Sequence, residues 1–303
     1  MKNIFFIFTI ISSISSLSQT SDEYFQRGIE KANSKDIKGS IEDYSKAIEL
    51  NPNFAFAYNN RGAEKVELKD FYGAINDYTK AIEINPKYAD AYFNRASANF
   101  ELKNNIGAIK DYSRVINIDS QYADAFYSRG LIEYEIGEYK LCLEDYDRAI
   151  EINPHDADFY GARGLVRFEF LDYVGAKYDL DIAIDIDPNR EEFFKNRGHA
   201  NTEIGEFQAA IQDYNKAIEY NPLNTHNYLS RGNLKVRLED YKGAIVDYTI
   251  ILELEPQNKN AFFNRGLTKI TIGQKESACL DFKSAIKLGK NEATIYLKKY
   301  CNK

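Results

Sequence analysis

Every proline of the chain falls on one ladder with a step of 34 residues. The six prolines are Pro52, Pro86, Pro154, Pro188, Pro222 and Pro256, and Ser120 occupies the vacant place between them. A fixed period between 20 and 50 residues is typical of one supersecondary unit stacked many times. The 303-residue chain is therefore predicted to be a repeat array, not the two domains that its length alone would suggest.

The same step carries two charged ladders through the chain. They are Arg27, Arg61, Arg95, Arg129, Arg163, Arg197, Arg231 and Arg265, and Asp43, Asp77, Asp111, Asp145, Asp179, Asp213, Asp247 and Asp281. These positions define eight repeats within 21–292, namely 21–54, 55–88, 89–122, 123–156, 157–190, 191–224, 225–258 and 259–292. Because the end of a stack needs a polar-backed cap, residues 293–303 are expected to form a C-terminal capping helix.

Each repeat is predicted to contain two helices. In the second repeat, apolar residues at Ala74, Ile75, Tyr78, Ala81 and Ile82 lie on one helical face. The following Asn-Pro ends that helix, because proline cannot continue it. A polar break, residues 69–73, separates this helix from an earlier one that contains no proline.

These residues resemble the tetratricopeptide repeat. The family pattern is an aromatic residue and then glycine in the first helix, alanine, an aromatic residue and alanine in the second, and proline after it. This chain supplies Tyr58, Gly62, Ala74, Tyr78, Ala81 and Pro86. Leu180 departs from the pattern at one aromatic place, and the family usually has an apolar residue where this chain has its arginines. The resemblance implies an all-α fold, a right-handed superhelical solenoid of antiparallel helix pairs.

The arginine and aspartate ladders have two interpretations. Eight arginines in register could form an anion groove or an active site. However, helical spacing places them near the packing face, where an unpaired charge is costly, so structural pairing is favoured. The predicted ion-pair ladder includes Arg61, Asp77, Arg95, Asp111, Arg129 and Asp145.

The opposite stripe of each first helix is the candidate binding groove. In tetratricopeptide repeat proteins this stripe lines the concave surface, so the resemblance implies a groove for a peptide or protein. The predicted groove residues are Asp90, Phe93, Phe100, Glu101, Asp124, Tyr127, Tyr134, Glu135, Asp158, Phe168 and Glu169. A solvated charged face is the alternative for the acids alone. Aromatic rings beside them favour a groove for a basic segment, held by charge attraction and cation–π contacts.

Charge and motifs exclude several other functions. The net charge of −7 has the wrong sign for a protein that neutralises nucleic-acid phosphates. No phosphate loop, nucleophile elbow or zinc-binding helix motif occurs, and His155, His199 and His226 are read as scattered surface residues. We therefore expect no enzyme, no catalytic residue, no cofactor and no metal. The expected partner is a protein or peptide.

The first 18 residues read as a signal peptide. Lys2 precedes an apolar run, residues 4–11, and small residues follow near residue 18. The run is too short to span a bilayer. The chain is thus expected to be an exported scaffold, periplasmic or secreted; the alternative is a cytosolic adaptor or co-chaperone with an uncleaved N-terminus.

The three cysteines, Cys142, Cys279 and Cys301, show no C-x-x-C spacing. Small buried thiols are the favoured interpretation, because free cysteine behaves as a small apolar residue. A disulfide between Cys279 and Cys301 stays open, since an oxidising compartment would permit it.

Overall fold

A computed structural model describes residues 19–301. The predicted signal peptide, residues 1–18, and residues 302–303 of the expected cap lie outside this part of the chain. The described residues divide into two compact units, which we call the N-terminal unit, ending at Gln121, and the C-terminal unit, beginning at Tyr122.

All regular structure in residues 19–301 is helical, so the predicted all-α fold is confirmed. The N-terminal unit contains α1 (Ser21–Asn33), α2 (Ile37–Leu50), α3 (Ala55–Glu67), α4 (Phe71–Ile84), α5 (Ala89–Glu101) and α6 (Asn105–Ile118). The C-terminal unit contains α7 (Ala123–Glu135), α8 (Tyr139–Ile152), α9 (Ala157–Glu169), α10 (Tyr173–Ile186), α11 (Glu191–Ile204), α12 (Phe207–Tyr220), α13 (Thr225–Arg237), α14 (Tyr241–Leu254), α15 (Lys259–Thr271), α16 (Lys275–Lys287) and α17 (Ala293–Cys301). From α1 to α16, odd-numbered helices are the first helices of the repeats, and even-numbered helices are the second.

Local sequence sets the ends of these helices. Asp70 precedes α4 and its side chain accepts a hydrogen bond from the backbone N–H of Gly73, which satisfies one of the free donors at the helix start. Lys69, one residue earlier, has a φ of 60°, a left-handed conformation that turns the chain back sharply. Such short turns make the two helices of a repeat antiparallel neighbours.

Close packing within a repeat depends on a glycine facing a ring. A Cβ atom added to Gly62 of α3 would lie 2.7 Å from a ring carbon of Tyr78, so only glycine permits this approach. Tyr78 is buried together with Ala74 and Ala81, the small residues of the second helix. The repeated glycine, alanine and tyrosine positions therefore form the core of each stack.

The C-terminal unit ends in a covalently joined helix. Cys301 of α17 forms a disulfide with Cys279 of α16, with 5.9 Å between their Cα atoms. The expectation of buried free thiols is therefore wrong for these two residues, although Cys142 is free and buried. Tyr296 of α17 also packs on Phe263, at 5.4 Å between ring centroids, so α17 covers apolar residues at this end.

Among the described helices, none is long and apolar enough to cross a membrane.

Candidate functional site

The arginine and aspartate ladders meet inside every repeat. In α3, Arg61 donates from Nε and Nη2 to the two carboxylate oxygens of Asp77, at 2.9 and 2.7 Å. Equivalent contacts join Arg27–Asp43, Arg95–Asp111, Arg129–Asp145, Arg163–Asp179, Arg197–Asp213, Arg231–Asp247 and Arg265–Asp281. Because the aspartates are buried, these two-point bonds supply the partner that a buried charge requires.

Most of these guanidinium groups also link neighbouring repeats. Arg61 donates from Nη1 to Ser45 Oγ of the preceding repeat at 3.0 Å, and Arg231 donates to Asn215 Oδ1 at 2.7 Å. Oxygens at the same repeat position serve Arg95, Arg163, Arg197 and Arg265. Arg61 further lies over the ring of Tyr58, 5.5 Å from its centroid. The arginines are thus occupied by internal contacts, and this ladder offers little to an external ligand.

A second cation reinforces five of the eight aspartates. In each of these five repeats the second cation lies four residues after the ladder arginine. The five cations are Lys31, Lys65, Arg167, Lys235 and Lys269. In the third repeat Asn99 occupies this place, so Arg95 is the one described ion-pair partner of Asp111. The fourth repeat has a carboxylate there instead.

That carboxylate belongs to Glu133, which is only 6% exposed. Its Oε2 has no hydrogen-bond partner among the described residues, and its Oε1 lies 3.8 Å from Arg129 Nε. Burial, followed by the nearby charge of Asp145, raises the pKa of Glu133 to about 7. Burial also raises the pKa of the adjacent Cys142 thiol to about 12. The fourth repeat therefore lacks the second ion pair to its ladder aspartate, Asp145, and has instead an unfavourable contact between two acids, Glu133 and Asp145.

The acids of the predicted groove lie on the exposed face of the first helices. We call Glu67 and Glu101 in the N-terminal unit, and Glu135, Glu169 and Glu203 in the C-terminal unit, the acidic row. All five are exposed, and none forms an ion pair with another described residue. By contrast, four acids at one repeat position of the second helices are ion-paired, in Lys46–Glu49, Lys80–Glu83, Arg148–Glu151 and Lys216–Glu219. Asp185 and Glu253, at the same repeat position, have no described ion-pair partner.

The aspartates of the predicted groove differ from that row. Asp90 and Asp124 are exposed at the starts of α5 and α7. Asp158, however, accepts a hydrogen bond from Arg190 within the C-terminal unit. The structure therefore places Asp158 in an internal ion pair, where it is less available than the glutamates.

The predicted groove rings are half-buried, not fully open. Phe93 packs edge-on against Tyr112, at 5.2 Å between centroids, and Tyr127 lies 5.0 Å from Phe159. Burial raises the pKa of Tyr127 to about 12. Phe100, Tyr134 and Phe168 also contact neighbouring side chains. The rings thus form the floor of the face, and the acids form its rim.

Two clefts on this face occupy equivalent repeat positions. The α3/α5 cleft, about 260 Å³, is bordered by Glu67, Tyr78 and Glu101. The α11/α13 cleft, about 400 Å³, is bordered by the residues four repeats later, including Glu203, Tyr214 and Arg237. A smaller cleft of about 100 Å³ between α9 and α11 shares Phe168 and His199 with the latter. The same face is therefore indented in both compact units.

His199 contributes to the floor of the α11/α13 cleft. Its ring centroid lies 5.8 Å from that of Tyr214 and 6.3 Å from that of Phe168. Burial, and then the positive charge of Lys195, lowers the pKa of His199 below its ordinary value. Burial therefore disfavours the charged form of the imidazole in the cleft floor.

No group of three or more His, Cys, Asp or Glu side chains is placed to hold a metal ion within residues 19–301. His155 lies in the exposed turn before α9, apart from His199. The three histidines therefore do not come together as a ligand set among the described residues.

Sequence reasoning missed the clefts and Arg237. Periodicity identified the stripe, but the depth of a cleft depends on side-chain sizes across neighbouring helices. The sequence does contain a signal for Arg237. Glutamate recurs every 34 residues from Glu67 to Glu203, and the next position of that series is Arg237.

Solved structures of repeat proteins share this fold. The C-terminal part of a TPR repeat-containing protein from Cytophaga hutchinsonii matches with a TM-score of 0.67 and 18% identity, over 79% of this chain and 98% of that chain. A tetratricopeptide repeat protein from Parabacteroides merdae matches with a TM-score of 0.59 and 19% identity, over 83% and 99%. YrrB, described as a TPR protein with an unusual peptide-binding site, matches with a TM-score of 0.58 and 20% identity, over 62% and 97%. At these identities the likeness defines the fold class, a stack of tetratricopeptide-type helix pairs.

Family models agree with that class. A tetratricopeptide repeat model matches residues 123–156 and 192–224, a TPR repeat model matches 64–103 and 100–137, and another tetratricopeptide repeat model matches 24–54. Together these matches cover more than half of the chain, which belongs to the tetratricopeptide repeat family. No curated protein matches it significantly. Tetratricopeptide repeat proteins generally act as protein-interaction scaffolds.

Proposed function

We propose that this protein is a non-catalytic scaffold that binds a basic, extended segment of a partner protein along the part of the acidic row in the C-terminal unit, Glu135, Glu169 and Glu203. The observation that carries this proposal is the contrast between two sets of glutamates. Four on the outer faces, Glu49, Glu83, Glu151 and Glu219, are each neutralised by a cation three residues earlier, whereas the five of the acidic row have no described ion-pair partner. Unpaired carboxylates beside half-buried rings are suited to lysine or arginine side chains.

The spacing of the first helices defines the register of such a segment. In the C-terminal unit, α7 packs against α9, and α9 against α11. Packed helices lie about 8–10 Å apart, and a segment in the polyproline II conformation advances about 3.1 Å per residue with three residues per turn, so that every third side chain lies on the same side. One cation every third residue would therefore meet Glu135, Glu169 and Glu203 in turn.

A labelled peptide with lysine at every third residue, Lys-Ala-Tyr repeated four times, tests this proposal. We expect binding, followed by fluorescence anisotropy, to weaken as salt is raised, because salt screens exposed charges. Changing Glu135, Glu169 and Glu203 together to Gln should weaken binding by about tenfold, at about 0.5 kcal/mol for each of the three exposed pairs.

The outer-face triple change of Glu83, Glu151 and Glu219 to Gln is the matched control. It removes the same charge from the opposite side of the repeats and should leave binding within about twofold of the original protein. Equal losses in both triple variants would mean that net charge, not the acidic row, attracts the peptide. Undiminished binding in the acidic-row variant would refute the proposed site.

We also propose that the protein is exported, after removal of residues 1–18. The disulfide between Cys279 and Cys301 supports this, because disulfides persist in oxidising compartments and are rare in the cytosol. N-terminal sequencing of the natural protein should find Gln19 or a close neighbour as the first residue. Retention of Met1 would favour the cytosolic adaptor instead.

A further inference from the structure

The α3/α5 and α11/α13 clefts have the same framework but opposite charge on one rim. Glu67 and Tyr78 of the first correspond to Glu203 and Tyr214 of the second, four repeats later. The remaining rim residue is Glu101 in the first cleft and Arg237 in the second. The first cleft therefore lies between two carboxylates, and the second between a carboxylate and a guanidinium group.

Arg237 is held in place by a ring. Its guanidinium carbon lies 4.5 Å from the ring centroid of Phe207, and it forms no ion pair with another described residue. The stacking restricts the side chain while leaving it exposed at the cleft rim. Arg237 can thus offer the paired N–H donors that recognise a carboxylate.

The floor of the α11/α13 cleft is apolar. Leu234 and Tyr214 are buried in it, and Phe168 and His199 are half-buried. Leu234 takes the place of Ala98 in the α3/α5 cleft, yet the α11/α13 cleft is the larger, at about 400 Å³ against about 260 Å³. A volume of this size, lined by rings, accepts one large apolar side chain with its neighbouring backbone.

We propose that the α11/α13 cleft binds a large apolar side chain of the partner segment next to an acidic residue, which contacts Arg237. This inference rests on the proposed function, because the same segment carries basic residues towards Glu203, Glu169 and Glu135. The charge of the bound segment therefore changes sign across this cleft. The acidic row attracts the partner, and the change of sign fixes its direction.

Two labelled peptides test the change of sign. They are Lys-Ala-Ala-Lys-Ala-Ala-Lys-Phe-Ala-Glu and its counterpart ending in Lys, each also made in reversed order. Of the forward and reversed sequences, we compare the pair that binds more tightly. We expect the original protein to bind the peptide ending in Glu about fivefold more tightly than the one ending in Lys, the upper range for one exposed charge pair. The variant Arg237→Glu, which gives this cleft the rim of the α3/α5 cleft, should reverse the preference.

Photocrosslinking locates the apolar residue. With benzoylphenylalanine in place of Phe, the glutamate peptide should crosslink to the segment of α13 that contains Ser230 and Asn233. Crosslinks confined to α3 and α5, or an unchanged preference in Arg237→Glu for both chain orders, would overturn the inference.

The same experiment separates the two proposals. If both peptides bind equally and both weaken in the acidic-row triple variant, the change of sign is refuted and the proposed function stands. If neither binds more tightly than a peptide with glutamine at every charged place, the proposed function fails together with this inference.

Discussion

Glu133 occupies a place where five other repeats have a cation, and changing it should stabilise the protein. Replacement by Gln removes a buried acid but keeps a side chain that can donate to Asp145, as a protonated carboxyl group does. Replacement by Lys supplies the second cation that Lys65 and Lys235 provide to their aspartates, at 2.7 and 2.9 Å. Both variants should raise the free energy of unfolding at pH 8.

The magnitude follows from the raised pKa of Glu133. A folded-state value of about 7, against an ordinary 4.5, means that the folded protein holds a proton that the unfolded chain has released between these pH values. Stability therefore falls as pH rises from 4.5 to about 7, by about 1.4 kcal/mol per pH unit and about 3 kcal/mol in total. Below pH 4.5 the residue contributes no pH dependence, and above about pH 7 the full penalty is present.

Urea unfolding of matched variants measures this penalty. The chain lacks tryptophan but has 23 tyrosines, so circular dichroism and tyrosine fluorescence follow unfolding. The advantage of Glu133→Gln over the original protein should grow from near zero at pH 4.5 to about 3 kcal/mol at pH 8. Because repeat stacks can unfold in parts, hydrogen exchange in α7 and α8 should show the same trend locally.

The exposed Glu144 of α8 supplies the control. Glu144→Gln should change stability little and equally at both pH values, because an exposed acid gains no burial penalty. An advantage of Glu133→Gln that is the same at pH 4.5 and pH 8 would refute the claim that Glu133 is held protonated. A Glu133→Lys variant less stable than the original would refute the comparison with the other repeats.

Arginine removal should cost most where no second cation remains. Arg95→Ala leaves Asp111 without a described ion-pair partner and should lower the free energy of unfolding by about 3–5 kcal/mol. Arg231→Ala leaves Lys235 paired with Asp247 and should cost about half as much. Equal losses in urea unfolding would contradict the role of the second cation. Changing Cys279 and Cys301 to Ser should destabilise the docking of α17 by up to about 3 kcal/mol, because the disulfide joins residues 22 positions apart and closes a loop. Unchanged hydrogen exchange in α17 would show that apolar packing alone holds this helix.

Repetition made the fold readable from the sequence. The proline ladder and the apolar spacing of Ala74, Tyr78 and Ala81 predict the helix pair, and the helices appear where these signals place them. The close approach of Gly62 to Tyr78 is a finding of the structure. The partners of the arginines were also predictable, because a buried charge demands one. What the sequence did not indicate is that Arg61 also reaches Ser45, since a contact between repeats depends on how the repeats stack.

The candidate site was less predictable for a physical reason. Helical periodicity assigns a residue to a face but does not determine how deeply it lies. Phe93 and Tyr127 were predicted to line the groove, and the structure shows that their rings also pack on the second helices. Asp158 was predicted to line it as well and is paired with Arg190. Side-chain reach, and not sequence spacing, decides these contacts.

The acidic row differs in its ion pairing from the arginine ladder and from four outer-face glutamates. Ladder arginines and aspartates neutralise each other inside the repeats, and Glu49, Glu83, Glu151 and Glu219 are neutralised by neighbouring lysines or arginine. The five glutamates of the acidic row have no described ion-pair partner, so they attract cations from solution. Unpaired carboxylates at a binding site raise the association rate of a cationic segment and make it depend on salt. Introducing a lysine or arginine beside each glutamate of the row, so that the two side chains form an ion pair, should thus slow association. The arginine ladder, and the repeat contacts that it makes, should stay intact.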